Sequence, residues 1–477
     1  MLNSLSSLIK HYKFNPDKII FTENKKKISV KDFFKGFSYY NKYFNHKKKL
    51  TIGIVGSNSI DYAVIEAGIS STQNTLVPIP NFFNDDTIRY IIKNSNIDII
   101  FTDEENFNRF KLLFNNTEIF IKDFLNFNDS VELSDHKRIV YTSGTTNKPK
   151  GVVHTCKQIN IVTKSLIETF NLNQQDKYFS ILPISTLLEQ ICANHITLTL
   201  ASHTEFDKEL SRKVFSLDDN FFKKIIEQEP NYLCLSPSLT SNLITYIENN
   251  RSDSFLSQIK SICVGGSKSS ISMINQAIKM KLPVFEGYGL SECCSVVAVN
   301  NKKFNKTGTC GKLLPHIECE IINGEIVIKS PTIMEGYYPN KLNQDKLYTG
   351  DLGSLNDEGY LTIYGRKDDV IILSNGRNIH PEYIKKLIQT KLIFDEVYIY
   401  QDKEKNLCFA FENIKNLNDK DIIEEIKKIL PEYIYPQKIF LINKKINKQN
   451  LLLPNGKIDT LKLTKQINSG DFSNAIL

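Results

Sequence analysis

The sequence predicts an α/β protein: a large N-terminal domain of stacked α/β sheets with an antiparallel β module, followed by a small α+β C-terminal domain. Three observations carry this. Short β-branched runs alternate with helical periodicity up to about residue 308. The texture then changes to short strands with tight turns. The tail returns to alternation.

Residues 50–80, "LTIGIVGSNSIDYAVIEAGISSTQNTLVPIP", read strand, loop, helix, strand, and "DTIRYIIKNSNIDIIFTDEE" repeats helix then strand. Next comes "HKRIV", a short β-branched run. "YTSGTTNKPKG" (141–151) follows it as a loop, too polar and too rich in Gly and Pro for a core strand. "VVHTCKQINIVTKSLIETF" after it turns helical. Further strand–helix pairs are "YFSILPIS" with "LEQICANHITLTL", "YLCLSPS" with "LTSNLITYIENN", and "SICVGGS" with "SSISMINQAIKM". Such alternation implies parallel sheets covered by helices. "ECEIINGEIVIKSP" and "GYLTIYGR" read as antiparallel strands. The last unit begins near Gly365, with "HPEYIKKLIQTK", "EVYIYQD", "LCFAFENI" and "KDIIEEIKKILPEYI". The predicted domains are therefore 1–364 and 365–477.

The 477 residues allow two or three domains. Hydrophobic content of 41% and charged content of 24% are ordinary for a globular protein. The net charge of +7 comes from scattered Lys runs such as "NKKKIS" and "NHKKKL", without interleaved aromatics, so no nucleic-acid face is expected. Nine Cys lack any C-x-x-C spacing, which fits thiols in a reducing cytoplasm. The segment "MLNSLSSLIKHYKF" lacks a long apolar core, and no run approaches a membrane span. A cytoplasmic protein without a transmembrane segment is expected, with peripheral membrane contact left open.

In the 141–151 loop, Thr142, Ser143, Thr145, Thr146 and Lys148 supply hydroxyls and a cation, while Gly144 and Gly151 permit turns that expose backbone N–H groups. That combination suits polyphosphate. It is not a Walker loop, because Pro149 stands where the second Gly belongs. The order T-S-G-T-T-x-K-P-K-G resembles the signature of the adenylate-forming superfamily of acyl-CoA synthetases, adenylation domains and luciferases. Four further segments match it in order.

The resemblance implies ATP, Mg2+ and a thiol co-substrate, either coenzyme A or carrier-protein phosphopantetheine. It assigns Thr142, Ser143, Gly144, Thr145, Thr146, Lys148 and Lys150 to phosphate binding, with Thr145 among the catalytic residues. In "GYGLSE", Glu292 would hold Mg2+ and Tyr288 would lie against the adenine, beside Gly289 and Ser291; Ser291 replaces the usual Thr. Gly265, Gly266 and Ser267 resemble the adenosine-contacting turn. Asp351 in "YTGDLG" would accept hydrogen bonds from two ribose hydroxyls, with Arg366 as a second ribose or phosphate contact. Arg377 would approach the phosphate in a second conformation, reached by a swing of a mobile C-terminal domain about Asp368. Lys457 in "PNGKID" would be the catalytic Lys bridging carboxylate and α-phosphate oxygens.

The implied activity is that of an AMP-forming acid–thiol ligase. "LPISTLLE" (182–189) resembles the L-P-L-S-H-x-x-E element of fatty-acid-type synthetases, with Thr186 where His is usual. Ile184 stands where amino-acid-activating domains place an Asp. A fatty or other apolar acid, passed to coenzyme A, is thus expected in the setting of fatty acid metabolism. The alternatives are an acyl–acyl carrier protein ligase, an aryl-acid adenylating enzyme, and a non-catalytic nucleotide-binding relative. An acyl carrier protein is the macromolecular partner this allows, beside a small carboxylic acid.

Overall fold

The computed structural model describes the chain apart from residues 1–3, 48, 121–130, 143–147, 214–218, 251, 267–268, 343, 374–377, 390–391, 393, 395, 403, 413–418, 443–461, 463–464, 466–472 and 476–477. The α/β fold expected from the alternation is present. A seven-stranded sheet runs Gly336–Tyr337, Lys150–Thr155, Lys137–Thr142, Thr75–Pro78, Thr51–Val55, Ile99–Thr102, Thr117–Ile119. Its last five strands pair in parallel, as helix crossovers require. A nine-stranded sheet runs Lys312–Leu313, Ser295–Val299, Val284–Leu290, Ser261–Val264, Tyr232–Leu235, Lys177–Ser180, His203–Phe206, Ile19–Glu23, Lys26–Ser29.

The helix Val30–Asn45 shows why these segments pack as they do. Ser29 and Asp32 form a capping box, and Phe33, Phe37, Tyr40 and Phe44 bury one stripe at helical spacing. Its neighbour, Ile60–Ser70, is buried at every position. Gly68 lets the two helices touch, since a Cβ there would lie 2.2 Å from the Cβ of Tyr40.

The four strands Glu318–Ile322, Glu325–Lys329, Leu347–Leu355 and Leu361–Arg366 form the expected antiparallel module. Beyond it, Pro381–Ile388 and Asp419–Ile429 pack with the strands Glu396–Gln401, Leu407–Glu412 and Lys438–Ile442 around a separate core that includes Ile384, Phe409, Ile422 and Ile439. Among the described residues, no helix is long and apolar enough to cross a membrane.

One expectation is corrected. The stretch after the 141–151 loop does not turn helical at once. Lys150–Thr155 is a strand, antiparallel to Lys137–Thr142, and the helix Cys156–Phe170 begins only after it. "GVVHT" is β-branched and half of a hairpin, so pairing wins over the helical pattern that follows. The loop therefore hangs from two paired strands.

Candidate active site

The strand Val284–Leu290 brings Tyr288 and Gly289 to the centre of the site. It pairs with Ser295–Val299 across the tight turn Ser291–Cys293. A Cβ on Gly289 would lie 1.7 Å from the Ser295 carbonyl oxygen, so the hairpin requires glycine there. Gly265 and Gly266 end the adjacent strand; Gly266 has φ of +86°, and a Cβ on it would meet nothing within 4 Å. That backbone borders open space.

Asp351 and Arg366 face each other as cross-strand partners of the antiparallel module. Arg366 Nη1 donates to Asp351 Oδ1 and to the Thr349 carbonyl, both at 3.1 Å. The Tyr288 hydroxyl donates to Asp351 Oδ2 at 2.5 Å. Burial raises the Asp351 carboxyl above its ordinary range, against the opposing pull of the Tyr288 hydrogen bond and the Arg366 charge. Burial and the Asp351 charge push the Tyr288 phenol well above its usual value, so it stays a donor. Each Asp351 oxygen has a second lone pair for a ligand hydroxyl. The Tyr288–Asp351 bond was not foreseen from sequence, since the two lie 63 residues apart.

Glu292 is held from a different strand. The Tyr337 hydroxyl donates to Glu292 Oε1 at 2.6 Å, and the Met334 N–H donates to its carbonyl at 2.8 Å. Gly336–Tyr337 pairs with Lys150–Thr155, the strand that follows the 141–151 loop's Gly- and Thr-rich stretch. From that same strand His154 Nε2 donates to the Ser291 carbonyl at 2.6 Å, and the Lys150 ammonium sits 5.0 Å from the centre of the Tyr337 ring. Burial lowers the His154 imidazole to about 4, so it is neutral and its Nε2 carries the proton. Sequence reasoning missed His154 and Tyr337; no motif marks them, and only the pairing of their strands brings them here.

A single carboxylate with one oxygen tied by Tyr337 fits Mg2+, which takes one or two carboxylates and completes its shell with phosphate oxygens and water. Lys148 is exposed, 5.4 Å from the centre of the Tyr90 ring. Asp368 lies in the turn directly after the strand Leu361–Arg366. Ser143, Gly144, Thr145, Thr146, Ser267, Arg377 and Lys457 lie outside the described residues.

The backbone Gly287–Ser291 is also one wall of a cavity of about 300 Å³. The remaining wall is mainly apolar, with Leu166, Phe170, Leu188, Cys192, Ile196 and Leu200 prominent. Leu188, Cys192, Ile196 and Leu200 repeat every four residues along one continuous helix, Leu187–Leu200. An α-helix would rotate such a series steadily off its face. The π-helical turn Ile191–His195 winds less per residue and keeps the series on the cavity. Thr186 stands at the N-terminus of this helix and borders the cavity, its hydroxyl donating to the Pro183 carbonyl at 2.9 Å rather than capping a helix N–H. Ile184 is buried in the core and does not border the cavity. Glu189 is also buried, accepting from the Tyr178 and Ser180 hydroxyls at 2.8 and 2.6 Å, and burial raises its carboxyl to about 8.

The fold and site together define a nucleotide-binding α/β enzyme scaffold with an adjoining apolar cavity. Residues 10–338 match the family described as AMP-binding enzyme, and the chain belongs to that family. It is 28% identical over 284 residues to a 2-succinylbenzoate–CoA ligase of Bacillus licheniformis, a match spanning 54% of this chain but only about half (55%) of that relative. It is 26% identical over 472 residues to the ligase of the same name from Staphylococcus epidermidis, spanning 90% and 92% of the two chains. Among solved structures, the Bacillus subtilis o-succinylbenzoate CoA synthetase in complex with its acyl-adenylate intermediate superposes with a TM-score of 0.78 at 19% identity, over 96% of this chain and 97% of that one. ATP-bound MatB from Rhodopseudomonas palustris gives 0.80 at 16% identity, over 97% and 99%. The adenylate-forming fold expected from the motifs is thereby established.

Proposed function

We propose that the protein activates an aryl carboxylic acid with ATP and passes the acyl group to coenzyme A. The acid's carboxylate attacks the α-phosphorus of ATP, giving an acyl adenylate and pyrophosphate; the thiol then displaces AMP. The observation that carries this reading is continuity: the strand and turn bearing Tyr288 and Glu292 also form one wall of the apolar cavity. An acid seated there would present its carboxylate to a nucleotide held beside Asp351. The aryl class rests on the relatives' names, which point away from the fatty acid expected from residues 182–189. The relatives named above support neither fatty acid metabolism nor a carrier-protein acceptor, and neither is carried further.

In this reading Asp351 and Arg366 hold the ribose, and the 142–150 loop holds the β- and γ-phosphates. Glu292 would hold Mg2+, which on binding supplies charge neutralisation at the phosphates. The chain beyond Asp368 forms a second unit that swings about that residue and delivers Lys457, while Gly365 and Arg366 stay paired in the antiparallel module.

Pyrophosphate exchange into ATP, with Mg2+ and a panel of acids but no thiol, tests the first half. Exchange with 2-succinylbenzoate or another aryl acid is expected, followed by thioester formation with coenzyme A. Exchange confined to alkyl or amino acids would refute the aryl class. Lys457→Ala should abolish exchange and spare ATP binding; full exchange in that variant would sink the mechanism.

A further inference from the structure

Two strands and one helix place three thiols together on the cavity wall. Cys234 and Cys263 are register partners on the parallel strands Tyr232–Leu235 and Ser261–Val264. Side chains alternate along a strand, and the neighbours Leu235 and Ile262 pack into a core on the opposite face. Cys234 and Cys263 therefore both face the cavity, which they border. Opposite them the π-helical turn carries Cys192, whose Sγ lies 3.6 Å from that of Cys234. All three are free cysteines.

Neither strand thiol suits thiolate chemistry. The hydrogen bond with Cys192, together with burial, holds Cys234 well above the usual thiol range, and its own bond with Cys234 and burial do the same for Cys263. Two soft sulfurs in contact, those of Cys192 and Cys234, suit another chemistry, bidentate capture of a thiophilic centre. Trivalent arsenic fits this: both As–O bonds break, two As–S bonds form, and the two thiol protons leave with the oxygen as water. Arsenic stays trivalent, so no oxidant or reductant is needed.

We propose that Cys192 and Cys234 form a dithiol modification site in the cavity wall that captures aryl-substituted trivalent arsenicals, and that its occupancy excludes the acid. The second clause rests on the proposed function. The aryl group would occupy the apolar volume beside Leu188 and Ile196 while the arsenic bridges the sulfurs.

The probe is phenylarsine oxide on the full chain, read by intact mass. One adduct that has lost water is expected, removed by a small dithiol but not by a monothiol. Cys192→Ala and Cys234→Ala should each lose it. Cys293→Ala should keep it, which controls for the rival pair Cys293–Cys294, adjacent in sequence and buried. Folding of each variant is checked by circular dichroism, with Cys192→Ser replacing any alanine variant that fails. An adduct that survives in both cavity variants, or vanishes in Cys293→Ala, overturns the site. An acid that supports pyrophosphate exchange should slow adduct formation; equal rates with and without it overturn the second clause. Exchange measured without arsenical tests the function separately.

Discussion

Arg366→Met tests the proposed nucleotide half of the site. The guanidinium makes one hydrogen bond to the Asp351 carboxylate and one to the Thr349 carbonyl, both at 3.1 Å. A hydrogen bond to a charged group contributes about 1.5–3 kcal/mol, and the 37% exposure of the Arg366 side chain argues for the lower end. Tyr288 still holds the other carboxylate oxygen, so Asp351 stays in place but is less well aimed. A loss of about 1–2 kcal/mol, or roughly 5- to 30-fold, is expected in kcat/KM for ATP. Arg366 does not border the cavity, so the KM for the acid should stay within about twofold. Steady-state pyrophosphate exchange with each substrate varied in turn gives both numbers. A rise in the acid's KM with that of ATP unchanged would refute the division of the site argued above.

Three further outcomes follow. Gly289→Ala drives a Cβ into the Ser295 carbonyl and should cost about 2–3 kcal/mol in urea unfolding; a variant of parental stability would show that the turn can shift. Ile196→Trp overfills the cavity and should abolish exchange with the preferred acid while ATP still binds, as read by calorimetry. Glu189 gives a pH test. Its folded value of about 8 lies above its ordinary 4.5, so its contribution to stability is full below 4.5 and is lost as pH rises to about 8. Glu189→Gln should therefore flatten the decline in Tm over that window; an unchanged slope would mean the carboxyl is not raised.

Legibility differed between the two halves of the site. The 141–151 loop, the turn at 288–292 and the Asp351 element are contiguous strings, and their occurrence in one order carries the resemblance; the two shorter strings say little alone. Their supports were not readable. His154, Tyr337 and the Tyr288–Asp351 bond depend on strands paired across long separations, which periodicity does not encode. The same limit explains the misread stretch after the loop, since "GVVHT" looks like a helix approach until Lys137–Thr142 pairs with it. The acid was the hardest to read. The cavity is walled by residues from five separate stretches of chain, and in the fatty-acid-like string 182–189 Thr186 stands at the helix N-terminus while Ile184 and Glu189 are buried.

A buried polar cluster explains how the two halves keep register with each other. Arg138 is the second residue of the strand that leads into the 141–151 loop, and it is fully buried. Its Nη2 donates to Glu66 Oε1 at 2.6 Å, and its Nη1 donates to Gln190 on the cavity helix. Asn194, in the π-helical turn, donates to the other oxygen of Glu66. Burial alone would raise the Glu66 carboxyl, but Arg138 and the neighbouring donors outweigh it and bring it to about 2. The ion pair joins the loop-bearing strand to the helix Ile60–Ser70, and the hydrogen bonds of Gln190 and Asn194 extend that tie to the helix that shapes the cavity. Removing one partner leaves a buried charge unpaired and should cost about 3–5 kcal/mol, so Arg138→Met and Glu66→Gln should each be severely destabilised. The double variant should lose less than the sum of the two, because no charge is then stranded. Urea unfolding of all four proteins measures the cycle, and additive losses would mean that the pair does not act as a unit.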